Sequence, residues 1–185
     1  MSTLPDDERV IRRSTSGDAE PFRRCLDVVA RERRYLAFLE APPLAEVRAF
    51  MASPDLLQLV ALVRGELVGW CDTLRKPHEG FRHSATLGIG ILPAQRGRGL
   101  GRALLRATLD ASREAGIRRV ELEVYGSNGP AIALYERHGF EHEGIKRGAR
   151  ILDGRSEDVL CMAWQVPPDA RLAAWQTPPP ERSPR

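Results

Sequence analysis

The sequence predicts a mixed α/β domain in which one sheet carries helices on its faces. Three observations predict it. The hydrophobic period switches repeatedly between the two-residue repeat of strands and the ~3.6-residue repeat of helices. The periodic segments are short and bounded by Gly, Pro or Asp-Gly turn signals. A glycine-rich turn, Gln95-Arg96-Gly97-Arg98-Gly99-Leu100-Gly101-Arg102, lies directly between a strand and an amphipathic helix. At 185 residues the chain is long enough for one core, and its 42% apolar and 29% charged residues are those of a soluble globular protein.

Val10–Arg13 is a short strand. Asp18 to about Leu39 reads as one or two helices, with Phe22, Leu26, Val29 and Ala30 at helical spacing. Pro42 and Pro43 interrupt, and Leu44–Met51 resumes a helix. Leu56–Val63 and Glu66–Leu74 are apolar runs around Arg64-Gly65, a hairpin signal. Ala85–Leu92 is the next strand. Leu100–Ala115 is a helix with Leu100, Leu104, Ala107 and Ala111 on one side and Arg102, Arg106, Asp110 and Arg113 on the other. Gly116 ends it, and Arg119–Tyr125 is a strand with Val120, Leu122 and Val124 on one face. Pro130–His138 is a helix that starts on Pro and stops at Gly139. Strands near Glu141–Lys146 and Ser156–Trp164 flank a turn at Asp153-Gly154. The folded domain spans 9–166, between a polar, disordered tail at 1–8 and a tail at 167–185 that holds six prolines and offers only Leu172 and Trp175 for docking.

Composition excludes several functions. No apolar run approaches the ~20 residues that cross a bilayer, and the start lacks a signal peptide's apolar stretch, so a cytoplasmic protein without a membrane partner is expected. Cys25, Cys71 and Cys161 are dispersed and odd in number, so neither a disulfide framework nor a metal site is expected. The net charge of +3, without a basic stripe and interleaved aromatics, gives no reason to expect a nucleic acid. A homodimer stays compatible with the sequence.

The glycine-rich turn is the sharpest signal. Glycines let backbone N–H groups converge on a ligand without a Cβ in the way, and the following helix adds its positive dipole end. A phosphate or pyrophosphate suits that arrangement, and Arg96, Arg98 and Arg102 add positive charge. The turn lacks the Gly-Lys-Ser/Thr of a Walker loop, and its glycine spacing fails the Gly-x-Gly-x-x-Gly of a dinucleotide fold.

Arg96-x-x-Gly99-x-Gly101 resembles the Gln/Arg-x-x-Gly-x-Gly/Ala signature of the GNAT superfamily of N-acetyltransferases. A second segment, Asn128-x-x-Ala131-x-x-Leu134-Tyr135-x-x-x-Gly139-Phe140, is similar to that family's other central motif, and the likeness extends over roughly Leu56–Trp164. The run Leu122–Asn128 resembles ribosomal-protein N-terminal alanine acetyltransferases, whereas Asp153–Met162 resembles members that acetylate amino acids or other small amines. The resemblance implies a mostly antiparallel sheet of six or seven strands, splayed between the fourth and fifth. It implies acetyl-CoA as co-substrate, no metal, and direct transfer to a primary amine in a ternary complex.

The same resemblance assigns roles. The arm of acetyl-CoA would pair with the strand at Ile89, Gly90 and Ile91, where Gly88 and Gly90 leave one face open to a ligand, and a strand N–H would polarise the thioester. The N–H groups from Gly97 through Arg98, Gly99, Leu100 and Gly101 to Arg102, with Arg96 beside them, would hold the pyrophosphate. Asn128 would contact the cofactor arm, although a Ser-Asn-Gly-Pro turn favours Asn by itself. Tyr135 would be the general acid, or else a core tyrosine on an apolar stripe. Glu123 would be the base, with His83 or water as substitutes, or else the polar side of a half-buried strand. The family builds its acceptor pocket near Glu32–Leu36, His78–His83 and Lys146–Arg155, where Arg147, Arg150 and Arg155 are solvated surface arginines or else meet a substrate carboxylate. The rival reading is a non-catalytic acyl-CoA sensor of the same fold.

Overall fold

The computed structural model describes residues 9–166, so both tails lie outside the described residues. In chain order the elements are β1 (Arg9–Arg13), α1 (Ala19–Ala30), α2 (Leu44–Met51), β2 (Leu56–Val63), β3 (Glu66–Arg75) and β4 (Ser84–Ile91). They continue with α3 (Leu100–Glu114), β5 (Arg119–Tyr125), α4 (Gly129–Glu136), β6 (Glu141–Leu152) and β7 (Arg155–Gln165). The strands form one seven-stranded sheet in the order β1-β2-β3-β4-β5-β7-β6. Every neighbouring pair is antiparallel except β4 with β5. The expected mixed sheet with helices on both faces is therefore present.

Turn chemistry sets the antiparallel pairs. Arg64 and Gly65 both have positive φ, 53° and 79°, and Asp153 and Gly154 repeat the pattern at 51° and 73°. Two-residue loops of that kind match the twist of the strands they join. Alternation then divides the side chains. Ala61, Cys71, Leu87, Val120, Leu122 and Val124 face α3 and α4, where they pack with Leu104, Leu105, Leu109 and Phe140. Val60 and Trp70 face the other way and pack with Phe22, Leu26 and Val29 of α1 and Val47 of α2.

Two boundaries differ from expectation. Helix α1 stops at Ala30 rather than running toward Leu39, because the next positions of its apolar stripe are Arg33 and Arg34, and Arg33 turns into the left-handed region at φ 57°. The chain then folds back along the helix, with Asp27 accepting from the Ala41 N–H at 2.9 Å and Arg23 donating to the Pro42 carbonyl at 2.8 Å. Strand β6 runs six residues beyond Lys146, to Leu152. It is almost wholly exposed, so its sequence carries no alternation to read.

Strand β4 is held to β3 by a close contact. Trp70 is the register partner of Gly90, and its indole covers that glycine: a Cβ added there would stand 2.1 Å from the ring. Phe22 closes the other side of the ring, edge-on at a centroid distance of 5.3 Å. Gly90→Ala should therefore destabilise the protein by roughly 1–3 kcal/mol, the range for overpacked cores. Urea unfolding of Gly90→Ala in wild-type and Trp70→Phe backgrounds checks this, with the smaller loss expected where the ring is smaller. Equal losses in both would show that the clash is not the cause.

Candidate active site

A wedge opens between β4 and β5. The two strands pair only at Ser84↔Arg119, Ala85↔Val120 and Thr86↔Glu121. From Leu87 onward β4 keeps its register with β3 alone, while β5 continues with β7 from Leu122↔Met162 to Tyr125↔Val159. Backbone groups of β4 that point toward β5 in this stretch, those of Ile89 among them, find no strand partner, which is costly unless a ligand or water supplies one, whereas Gly90 turns its groups to β3 and the Ile91 carbonyl is taken by Arg96. One part of the expectation fails here. The face at Gly88 and Gly90 is not open: Trp70 covers Gly90, and Asp72 Oδ1 stands 3.0 Å from where a Gly88 Cβ would be. The strand's free side is its edge.

The glycine-rich turn sits at the mouth of this wedge. Gly97 and Gly99 have φ of 73° and 81°, and a Cβ at either would meet nothing within 4 Å. Backbone conformation, not crowding, requires glycine there. Gly99 is the left-handed residue from which α3 starts. The consecutive N–H groups of Gly97, Arg98, Gly99, Leu100, Gly101 and Arg102 have no acceptor among the described residues, while the Gly99 carbonyl already accepts from Ala103. Such a row of free donors at a helix start is an anion site. Leu100 contributes only its main chain, since its side chain is buried. A groove of about 400 Å³ continues from Gly99 along α3, floored by Ala103 and Ala107 and flanked by Arg102 and Arg106.

The three arginines divide. Arg98 and Arg102 form no ion pair among the described residues. Arg96, expected to bind the anion, is a clamp instead. Its Nε donates to the Ile91 carbonyl at 2.9 Å, its two terminal nitrogens grip Glu32 at 3.0 and 2.6 Å, and its guanidinium lies 4.9 Å over the Tyr35 ring. Its own N–H bonds to the Pro93 carbonyl at 3.2 Å. Arg96 ties the turn to the segment after α1, with three of its five guanidinium N–H groups engaged there.

Tyr135 stands on the α3 side of the wedge. It is 6% exposed, packs on Phe140 at 5.5 Å and hydrogen-bonds to no described residue through its hydroxyl. Burial pushes its phenol well above the ordinary tyrosine range, so it is protonated at neutral pH. Asn128 caps α4, its Oδ1 accepting weakly from the Ala131 N–H at 3.4 Å, and its amide nitrogen stays available. The turn reading of Asn128 is thus realised without excluding ligand contact.

Carboxylates line the opposite face. Glu123 points away from the Val120–Leu122–Val124 side, its side chain 56% exposed, and bonds Lys146. Glu121 is held by Lys76 and Arg119. His83 stands at the closed end of the β4–β5 pair, where its carbonyl accepts from Arg118 and Arg119, so it is remote from the open wedge. A cleft of about 970 Å³ lies between the turn after α1, the Gly126-Ser127 turn and the β6–β7 hairpin. Of the hairpin arginines, Arg150 is engaged by Glu157 at 2.9 Å, by the Arg33 carbonyl at 2.7 Å and by the Tyr125 ring at 4.3 Å. Arg147 lies 3.6 Å from Asp158, while Arg155 has no anionic partner among the described residues. Asp72 was not singled out from the sequence, although an Asp ending the apolar run Leu67–Cys71 is a signal of a buried acid. Among the described residues no cluster of His, Cys, Asp and Glu is arranged to hold a metal ion, and no helix is long and apolar enough to cross a membrane.

The family model described as the acetyltransferase (GNAT) family matches residues 25–140. The L-amino acid N-acetyltransferase AaaT of Escherichia coli is 30% identical over 162 residues, covering 84% of this chain and 97% of that protein. The N-alpha-acetyltransferase RimI of Mycobacterium tuberculosis is 41% identical over 110 residues, 57% of this chain and 65% of that one. Among solved structures, a GNAT-family acetyltransferase from Streptococcus pneumoniae matches with a TM-score of 0.79 at 29% identity, over 86% of this chain and 100% of that chain.

If the Arg96–Glu32 clamp holds the turn, Arg96→Ala and Glu32→Ala should each speed amide exchange across Gly97–Arg102. A double-mutant cycle on unfolding free energy should return a coupling of about 1 kcal/mol, within the range for contacting charged pairs. Exchange unchanged in both variants would show that the glycine backbone holds the turn without the clamp.

Proposed function

The chain belongs to the acetyltransferase (GNAT) family and is an acetyl-CoA-dependent N-acetyltransferase; we propose that it acetylates a primary amine by direct attack, with a small carboxylate-bearing amine as the foremost acceptor. The row of free amides at the mouth of a wedge with an unpaired strand edge carries this reading, because that combination fits a pyrophosphate joined to an extended arm.

Bound acetyl-CoA supplies the activated acetyl group as a thioester. The amides from Gly97 to Arg102 hold the pyrophosphate, and Arg98 and Arg102 add charge beside it. The edge of β4 at Ile89, Gly90 and Ile91 pairs with the arm, and an N–H from this stretch polarises the thioester carbonyl. The amide nitrogen of Asn128 steadies the arm from the start of α4. Tyr135, kept protonated by burial, returns a proton to the departing thiolate. The amine enters from the other face, where Glu123 and Asp72 are the carboxylates nearest in register to the wedge. Acid and base thus work from opposite faces of the sheet.

The acceptor class rests on the cleft and on likeness. Arg155 is free to meet a carboxylate there, and the relative matched over most of both chains is named for L-amino acids. A protein N-terminus is the second reading, supported by the higher identity to an N-alpha-acetyltransferase over a shorter span. A sensor that only binds acyl-CoA would need no protonated phenol at the wedge.

Release of free thiol from acetyl-CoA, measured over a panel of amino acids, polyamines and N-terminal peptides, tests the reading. Amine-dependent release is expected, and its absence with every acceptor would leave the sensor. Tyr135→Phe should lower turnover by ~10²–10⁴-fold, the usual weight of general acid–base catalysis. Its acetyl-CoA affinity by calorimetry should stay close to wild type, since the ring remains. A full rate in that variant would remove the acid role.

A further inference from the structure

We propose that Asp72, rather than Glu123, accepts the proton of the incoming amine, directly or through one water. The inference rests on the transferase reading above and assigns the base within it.

Asp72 reaches the reacting region from the neighbouring strand. It is the register partner of Gly88, two residues past Thr86, where β4 last pairs with β5. Gly88 has no side chain, and Asp72 Oδ1 stands 3.0 Å from the position its Cβ would take. The carboxylate therefore occupies the place a side chain of β4 would fill beside the open wedge. Its face follows from its neighbours. Thr73 bonds Ser112 and the Cys71 carbonyl accepts from Thr108, both on α3, so Asp72 points to the face of α1. Tyr135 lies on the α3 side, so the two groups flank the wedge from opposite faces.

Its surroundings suit a proton acceptor. Asp72 is 7% exposed and its one hydrogen bond is a long one, from Gln58 Nε2 to Oδ2 at 3.4 Å. Oδ1 has no protein partner, yet it is not sealed: the only sealed side-chain polar atom without a partner among the described residues is Oε1 of Gln58. Gln58 thus meets Asp72 through its amide nitrogen alone. Burial raises Asp72 to about 7, and the bond from Gln58 opposes the rise. No cation among the described residues is paired with it. From β2 it meets Gln58, from β4 Gly88, and the ionisable group in the buried stripe of α1 is Cys25, whose thiol burial pushes up to about 12. On β3 itself the adjacent Cys71 thiol is likewise held protonated. The charges of β5 on this face, Glu121 and Glu123, are closed into pairs with Lys76, Arg119 and Lys146. Desolvation without a cationic partner strengthens a carboxylate as a proton acceptor.

The protons balance. The ammonium gives one proton to Asp72 as an N–H bond breaks and an O–H bond forms. The C–N bond forms, the C–S bond breaks, and the second nitrogen proton replaces the one Tyr135 gives the thiolate. Asp72 then releases its proton to solvent, so one proton leaves per turnover.

The test is kcat against pH for wild type, Asp72→Asn and Glu123→Gln at saturating substrates, with melting temperature and acetyl-CoA affinity as controls. Wild type should rise with pH through a limb near 7. Asp72→Asn should lose that limb and fall by ~10²–10⁴-fold, while Glu123→Gln keeps it. Retention of the limb in Asp72→Asn, or its loss in Glu123→Gln alone, overturns the assignment. Should Asp72→Asn not fold, Gln58→Met removes the bond that lowers Asp72, and the wild-type limb must move to higher pH; an unmoved limb also overturns it. A readout free of turnover accompanies these. The folded chain keeps the Asp72 proton between the unfolded value of ~3.9 and about 7, so wild-type stability should fall relative to Asp72→Asn as pH rises through that window. A wild type with no amine-dependent thiol release would end the transferase reading and this inference together. Release with an unchanged Asp72→Asn profile would end this inference alone.

Discussion

Past Thr86, strand β4 is bonded along one edge only, and most of the architecture serves that arrangement. A strand with a bare edge inside a sheet is unstable unless its other edge is firmly held. β3 does the holding through seven register pairs, and Trp70 clamps the last of the glycines between its indole and the sheet. β5 is drawn the other way by β7, which pairs with it along its whole length. The wedge is therefore a difference between two well-made interfaces, not a defect in one.

Chemistry is then distributed by the pleat. Successive residues of a strand face opposite sides, so β3 sends Cys71 and Thr73 to α3 and Trp70 and Asp72 to α1. β5 likewise separates Leu122 and Val124 from Glu121 and Glu123. A protonated phenol on one side and carboxylates on the other follow from this alternation, with the open edge of β4 between them. Neither group needs a special loop to reach its place.

Much of this was legible in the sequence, and the failures share a cause. Strand and helix periods, the Arg64-Gly65 and Asp153-Gly154 turns and the strand–turn–helix around Gly97–Arg102 are local signals, and each appears where expected. What escaped depends on partners distant along the chain. Arg96 reads as an anion ligand beside its glycines, and only the fold brings Glu32 and Tyr35 to it. Gly88 and Gly90 read as an open face because the register that lays Asp72 and Trp70 across them is set by pairing. Asp72 ends an apolar run, a signal of burial, but the register that seats it over Gly88 is set by pairing. Strand β6 is longer than its sequence declares because an exposed strand has no hydrophobic alternation to mark its length.

The row of amides before α3 has a consequence for how this surface can change over time. Side-chain donors can be deleted one at a time by almost any substitution, but a main-chain donor is lost only to proline. The rest persist under any replacement that keeps the backbone path. At the turn that path depends on two left-handed positions, Gly97 and Gly99, and on the clamp behind them. Arg98 and Arg102 are free to drift in charge and size around a donor set that stays the same. The heritable part of this anion site is a shape, and its apparent chemistry is the part most open to revision.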